Sequence, residues 1–512
     1  VSPDLGSVFA VLAVLAVSVA TLGVGVLGLR ISRTTSDFYV ASRAVGPVVN
    51  ASAISGEYLS AASFLGVAGL VLARGADSLW YPVGWTAGYL MLLVFVAAPL
   101  RRSRAYTLPD FAEFRVESLT ARRVSSALVV LIGVLYLVPQ FQGAGLTIRA
   151  LTGAPRWAGA VVVALIVLAN VVSGGMRSIT LAQAFQYWLK LVALLTPLVF
   201  LLHRWSGSGA PTAHLHTRDW VEPMQGSYAT YLTYSLILAT FLGTMGLPHV
   251  VVRFYTNRDG RAARRTTVTV LAMLGLFYLL PTVYGVLGRV YASDLIASGR
   301  TDSVVLELPQ RALGGLGGDL LTALLGAGAF AAFLSTSSGL VVSVSGVLSQ
   351  DLGNRWFTGV TSFRVAGVVT ALATLLLTVA TTGLAVAHAV ELAFAVAAST
   401  FCPLLLLGIW WRGLTAAGAI CGLAVGGLTS VSAVLAVMVG GTPPGALGAV
   451  VSQPALVTVP LAFATMVLAS LVTRHRLPAH LGHTMVRLHT PEDVVLERGS
   501  YHPERPRRRV TR

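Results

Sequence analysis

Ala332, Ser335 and Thr336 follow one another at i, i+3 and i+4, the spacing that shares one face of a helix. A backbone carbonyl and two hydroxyls are hard oxygen donors, the kind a small hard cation takes. The same hydroxyls can instead bond back to their own helix, and the spacing alone leaves both readings open. A second polar stripe runs Tyr136, Gln140, Gly143, Thr147, at i, i+4, i+7 and i+11. It either glues two helices together or lines a cavity open to a small solute. Three charged side chains stand among apolar neighbours: Glu57, Lys190 (the only lysine of the chain) and Glu391, one turn beyond His388. Charge in such surroundings is costly and marks function by default. Lys190 and Glu391 are expected either to pair or to snorkel to an interface.

The elements that must carry these residues are membrane helices. Hydrophobic residues make up 55% of the chain and charged residues 11%, against roughly 25% charged in a soluble domain. Apolar runs of about 20 residues, the length that spans a bilayer, recur from 7–29 to 454–473. Lipid cannot satisfy bare backbone groups, so these runs are helices, and they alternate too little for a barrel. The expected architecture is all-α and integral to the membrane, with about thirteen spans over residues 1–473 and a basic tail over 474–512. The net charge of +16 follows topology. With the amino terminus outside and the tail in the cytoplasm, 27 of the 36 basic residues face inward, as the positive-inside bias requires. No nucleic-acid partner is called for. Asp4 precedes the first run, and Arg30 and Arg33 follow it. That order predicts a retained helix, not a cleaved signal. Cys402 and Cys421 fall in predicted spans and imply no disulfide framework. The segment 101–123, with Pro109, Asp110 and Glu113 among arginines, is expected to be a surface helix on the inner side. The outer loop near 203–228, with His203, His214 and His216, is expected to be solvated rather than a metal site.

Two spans are interrupted, one at Ser55-Gly56-Glu57-Tyr58-Leu59-Ser60 and one at Gly243-Thr244-Met245-Gly246-Leu247-Pro248. A continuous helix resists both stretches. They lie five spans apart, the offset expected of an inverted-repeat transporter whose broken helices bind ions at the midplane. Close packing at glycine is the competing explanation. No Walker A loop is present, because the one lysine follows Leu189, and neither HExxH nor GxSxG occurs. Any transport is then driven by an ion gradient or is passive.

Ser36-Asp37-Phe38-Tyr39-Val40-Ala41 and Ser60-Ala61-Ala62-Ser63-Phe64-Leu65-Gly66 resemble the sodium:solute symporter family. Gly243 to His249 with Arg253-Phe254, Tyr136 to Gly145, Gly174-Gly175-Met176 with Gln183, and Ala393 to Ser399 resemble its acetate and monocarboxylate permease branch. The resemblance implies a leucine-transporter fold, a five-plus-five inverted repeat with extra helices. It implies co-transported sodium, held by the carbonyls of Gly56 and Leu59 at the first break and by Ala332, Ser335 and Thr336 on the facing helix. It implies a small carboxylate near Ser60, Ser63, Tyr136, Gln140 and Thr244, in a protein of the cell membrane. Another solute (proline, a sugar, a vitamin) or a transporter-like sensor is the alternative. Thr180 stands where some relatives carry an aspartate for a second sodium, which implies a single one. Gln186 stands where the branch tends to have a lysine, with Lys190 one turn later, and Glu391 replaces a small residue. No arginine is expected close to either break at midplane depth, and Glu57 is expected to turn from the cavity or be protonated.

Overall fold

A computed structural model describes residues 5–31, 45–212, 218–224, 226–351, 359–381, 386–491, 494–497 and 500–503. The Ser36–Ala41 motif, His214 and His216 lie outside the described residues, as do the side chains of Gly174-Gly175-Met176.

The apolar runs fold as helices. Among the described residues, eleven helical stretches are long and apolar enough to cross a membrane, and Arg156–Val172 is a shorter apolar one. The division differs from that drawn on sequence. Ala62–Ser103 forms one stretch holding parts of two runs, and the Arg156–Gly207 helix joins two others without a break in its backbone. The centre of the bundle is recognisable by burial. The Val386–Trp410 helix is 89% buried over its most apolar window, whereas Leu5–Val26 and Ala455–Val472 are each 33% buried and face outward.

The segments between spans are capped by their own side chains. Thr107 and Asp110 form a reciprocal capping box at the start of the Leu108–Val116 helix. Asp259 caps the Gly260–Tyr291 helix and Thr415 the Ala416–Gly440 helix. The Leu108–Val116 segment is not the surface helix expected. Leu108, Phe111, Ala112 and Val116 are buried, and Arg115 is 1% exposed. Its guanidinium donates to Gly408 O (2.6 Å) and Trp411 O (2.9 Å), ending the Val386–Trp410 helix on charge-assisted bonds. Burial lowers the Arg115 pKa to about 10. The first part of the tail also docks. The Leu481–His489 helix reaches this face through Arg487 Nε to Arg102 O (3.3 Å) and the His489 ring on Trp410. Beyond it, Val494–Glu497 and Ser500–Pro503 pair as a short antiparallel hairpin.

Candidate functional site

The first break is a place where backbone groups lose their helical partners. The Pro47–Tyr58 helix ends at Leu59, whose backbone leaves helical geometry (φ −74°, ψ 85°), and the chain resumes in a π-helical turn over Ala62–Gly66. In a membrane such freed groups must be satisfied from elsewhere. They are. Gly56 O accepts from Ser335 Oγ (2.7 Å) and from Lys190 Nζ. Glu57 O accepts from Thr336 Oγ1 (2.5 Å). Leu59 O accepts from Lys190 Nζ (2.8 Å), and Ala61 N donates to Gln140 Oε1 (3.0 Å). The helix carrying Lys190 approaches closely because Gly56 has no side chain; a Cβ there would overlap Gln183 O.

Three of the five residues expected to hold a cation therefore converge on one point, and that point is the ammonium of Lys190. It is fully buried and contacts Gly56 O, Leu59 O and, at 2.9 Å, Ser335 Oγ. The single Ser335 hydroxyl hydrogen is shared between Gly56 O and Ala332 O (3.0 Å), and Thr336 is turned to Glu57 O. The hydroxyl face thus does both things its spacing allowed: it bonds to its own helix and reaches across to the break. Lys190 neither pairs with Glu391 nor snorkels. Glu391 instead accepts from Tyr81 Oη (2.7 Å) and lies 3.2 Å from His388 Nδ1.

Arg253 corrects a further expectation. It lies just past the second break, is 1% exposed, and forms an ion pair with Glu57. The same guanidinium donates to Thr180 Oγ1 (2.9 Å) and to Gln183 Oε1, while Gln183 Nε2 donates to Ser335 O (2.7 Å). An arginine thus stands at the first break, and Glu57 has a buried cationic partner there. Gly339 makes room for it, since a Cβ there would overlap the Glu57 carboxylate. Gln186 serves another contact, donating to Thr21 Oγ1 (3.1 Å).

The second break is built differently. Leu247 is extended (φ −71°, ψ 119°), as the residue before Pro248 must be. Gly243 and Gly246 let this helix lie on Val386–Trp410, where added Cβ atoms would press on Phe394 O and Ala397 O.

Between the breaks lies an aromatic box. Phe394 is its hub, with ring centroids 6.4 Å from Tyr58, 5.8 Å from Trp85 and 5.9 Å from Tyr136. Tyr58 meets Tyr89 edge-on at 4.7 Å, Trp85 meets Tyr278, and Tyr136 meets His249 at 5.1 Å. All five residues expected near a substrate touch it or its neighbours. Thr244 Oγ1 is 2.8 Å from Tyr58 Oη, Ser63 Oγ is 3.0 Å from Tyr278 Oη, and Gln140 reaches Tyr136 O (3.3 Å). Ser60 Oγ lies beside the Tyr136 phenol. Sequence reasoning missed Trp85, Tyr89, Tyr278, His249 and Phe394, because aromatic residues in a span read as core. Trp85 Nε1, Tyr89 Oη, Ser60 Oγ and both His249 ring nitrogens are buried with no hydrogen-bond partner. Buried polar groups are normally paired, and these are not.

Among the described residues, no group of three or more His, Cys, Asp or Glu could hold a metal ion. Cys402 and Cys421 are both free.

The sodium:solute symporter family profile matches residues 38–426. An uncharacterized symporter of Bacillus subtilis, YwcA, is 31% identical over 473 residues, covering 88% of this chain and 91% of that protein. A protein of Corynebacterium glutamicum named a monocarboxylic acid transporter is 32% identical over 435 residues, with 78% of each chain covered. Among solved structures, a Na+-coupled sialic acid symporter in a substrate-bound outward-open state superposes with a TM-score of 0.69 at 15% identity, covering 92% of this chain and 98% of that one. MhsT in complex with L-phenylalanine superposes at 0.53 and 15% identity, covering 83% of this chain and 98% of that one. The fold is accordingly the leucine-transporter-like five-plus-five repeat with extra helices.

Proposed function

Because this chain belongs to the sodium:solute symporter family, we propose that it carries a small monocarboxylate such as acetate, propionate or pyruvate together with sodium, by alternating access. It is a multi-pass membrane transporter and not an enzyme. The observation that carries the substrate reading is the set of unspent donors around the aromatic box: Ser60, Trp85, Tyr89 and His249. A buried carboxylate needs compensation for its lost hydration, or it costs several kcal/mol. Those groups, with the helix start at Ala61–Ala62, supply hydrogen bonds and a positive dipole end. The relative named a monocarboxylic acid transporter favours the same solute class.

Sodium is assigned to Gly56, Leu59, Ala332, Ser335 and Thr336, and the substrate to Ser60, Ser63, Tyr136, Gln140 and Thr244. Thr180 brings no carboxylate, so one sodium accompanies one monoanion and the cycle is electroneutral. The protein sits in the cell membrane with its amino terminus outside. Residues 1–473 form the transport domain and 474–512 a cytoplasmic tail; a cysteine at Pro503 labelled from outside intact cells would refute that orientation. The decisive experiment is uptake of labelled acetate into proteoliposomes with and without a sodium gradient. Propionate and pyruvate should compete, and acetamide, glucose and proline should not. Equal displacement by any of the last three overturns the monocarboxylate reading, and binding without accumulation would instead identify a sensor.

A further inference from the structure

The oxygens assigned to sodium are already spoken for. An ammonium has three N–H donors and no acceptor. Lys190 Nζ spends all three, on Gly56 O, Leu59 O and Ser335 Oγ. It therefore sits as a fully satisfied cation where the sequence resemblance puts a free one. Its helix is held against the break. Lys190 is fully buried, on a helix held to the break by the Gly56 contact, and Gln183 on that helix is tied to both Ser335 O and Arg253. The nearby Glu57 carboxylate pairs with Arg253 through one oxygen and leaves the other, Oε1, without a hydrogen-bond partner. The facing helix brings only the hydroxyls of Ser335 and Thr336, and the Gly260–Tyr291 helix brings the Tyr284 phenol, which donates to Leu194 O (3.0 Å).

We propose that Lys190 is a tethered cation that competes with sodium for the first-break site, setting its affinity for sodium. The inference rests on the sodium reading above. Two positive charges cannot share three oxygens, so sodium enters only as the Lys190 side chain withdraws. The lysine weakens sodium binding while keeping the break satisfied in sodium's absence. A merely structural lysine predicts the opposite, because removing it would loosen the site and weaken sodium binding.

Lys190→Met keeps the apolar stem and removes the ammonium. In purified protein, binding of radioactive sodium should tighten at least tenfold in Lys190→Met, while Lys190→Arg, which keeps a cation, should bind no better than the parent. Unchanged or weaker sodium binding in a Lys190→Met protein that melts like the parent overturns the inference and leaves the sodium reading standing. No sodium binding to either protein overturns the sodium reading itself. The parent chain offers a test that needs no variant. Lys190 is its only lysine, so a sample labelled with nitrogen-15 at the lysine Nζ gives one side-chain signal. Sodium, and not potassium at equal ionic strength, should shift that signal. A signal indifferent to saturating sodium refutes displacement.

Discussion

The two broken spans look alike in sequence and are built on opposite principles. At the first break the freed carbonyls of Gly56, Glu57 and Leu59 are met by an ammonium and two hydroxyls from other helices. At the second, Pro248 removes a donor and fixes the bend, and glycines press the backbone onto a neighbouring helix. The first break is a chemical site that needs partners, whereas the second is a bend held by shape. What the second break contributes is delivery: it aims Thr244 and His249 at the aromatic box and Arg253 at Glu57. A broken helix is thus not in itself an ion site. The side chains that answer its exposed backbone decide what it becomes.

The largest effect should come from the ion pair that crosses between them. Removing one partner of a buried ion pair leaves an uncompensated charge and costs about 3–5 kcal/mol. Arg253→Met should therefore destabilise the protein by about that amount and abolish uptake. Glu57→Gln added to it should recover part of the stability, because the stranded carboxylate is gone. Thermal unfolding in detergent checks this. If the double variant is no more stable than Arg253→Met, the ion pair is not what joins the breaks.

The glycines separate the two designs next. Gly246→Ala forces a methyl against Ala397 O, and Gly56→Ala against Gln183 O. Overpacking of this kind costs about 1–3 kcal/mol, so both variants should melt lower. Only Gly56→Ala should also raise the sodium needed for half-maximal uptake, since it moves a carbonyl of the cation site. Gly275→Ala, with open space around it, should change neither quantity. Equal sodium shifts in Gly56→Ala and Gly246→Ala would erase the distinction.

Much of this arrangement is legible in the amino-acid sequence. Hydropathy names the helices because a bilayer allows no other spanning solution here, and Pro248 and Ser55–Ser60 announce the breaks. The hydroxyl face of Ser335 and Thr336 is visible from spacing. The partners are not. Lys190 lies more than 100 residues along the chain from Gly56, and its role depends on the angle at which two helices cross, which no local pattern carries. Arg253 reads as a cytoplasmic arginine because it follows a span; a bend one turn earlier returns it to the interior. Trp85 and Tyr89 escape notice for another reason. Packing aromatics and site aromatics have the same periodicity, and only a buried Nε1 or Oη without a partner tells them apart.

The hydroxyls of the facing helix come next in size. Ser335→Ala removes an acceptor from Lys190 and a donor from Gly56 O, and Thr336→Ala strips Glu57 O of its partner. Loss of one oxygen from a cation with few should raise the sodium requirement about tenfold, or about 1.4 kcal/mol. Carboxylate affinity should fall in step, because the two bindings are linked. Unchanged sodium dependence in both variants would remove this helix from the site.

The smallest effect belongs to the second break and isolates what it does for the substrate. Thr244 Oγ1 donates to Thr240 O (2.7 Å), so the 2.8 Å contact with Tyr58 Oη is one in which the phenol donates. Thr244→Val keeps the shape of the side chain and removes that acceptor, leaving Tyr58 Oη with Trp85 O at 3.4 Å. A neutral hydrogen bond is worth about 0.5–1.5 kcal/mol net. The phenol then turns more freely beside the donors of the box, and half-saturating acetate should rise roughly two- to tenfold on that scale. Sodium binding measured without substrate should not move, because Thr244 touches none of the first-break oxygens. If sodium binding weakens as much as acetate binding does, the second break shares the cation site, and delivery is too narrow a description of it.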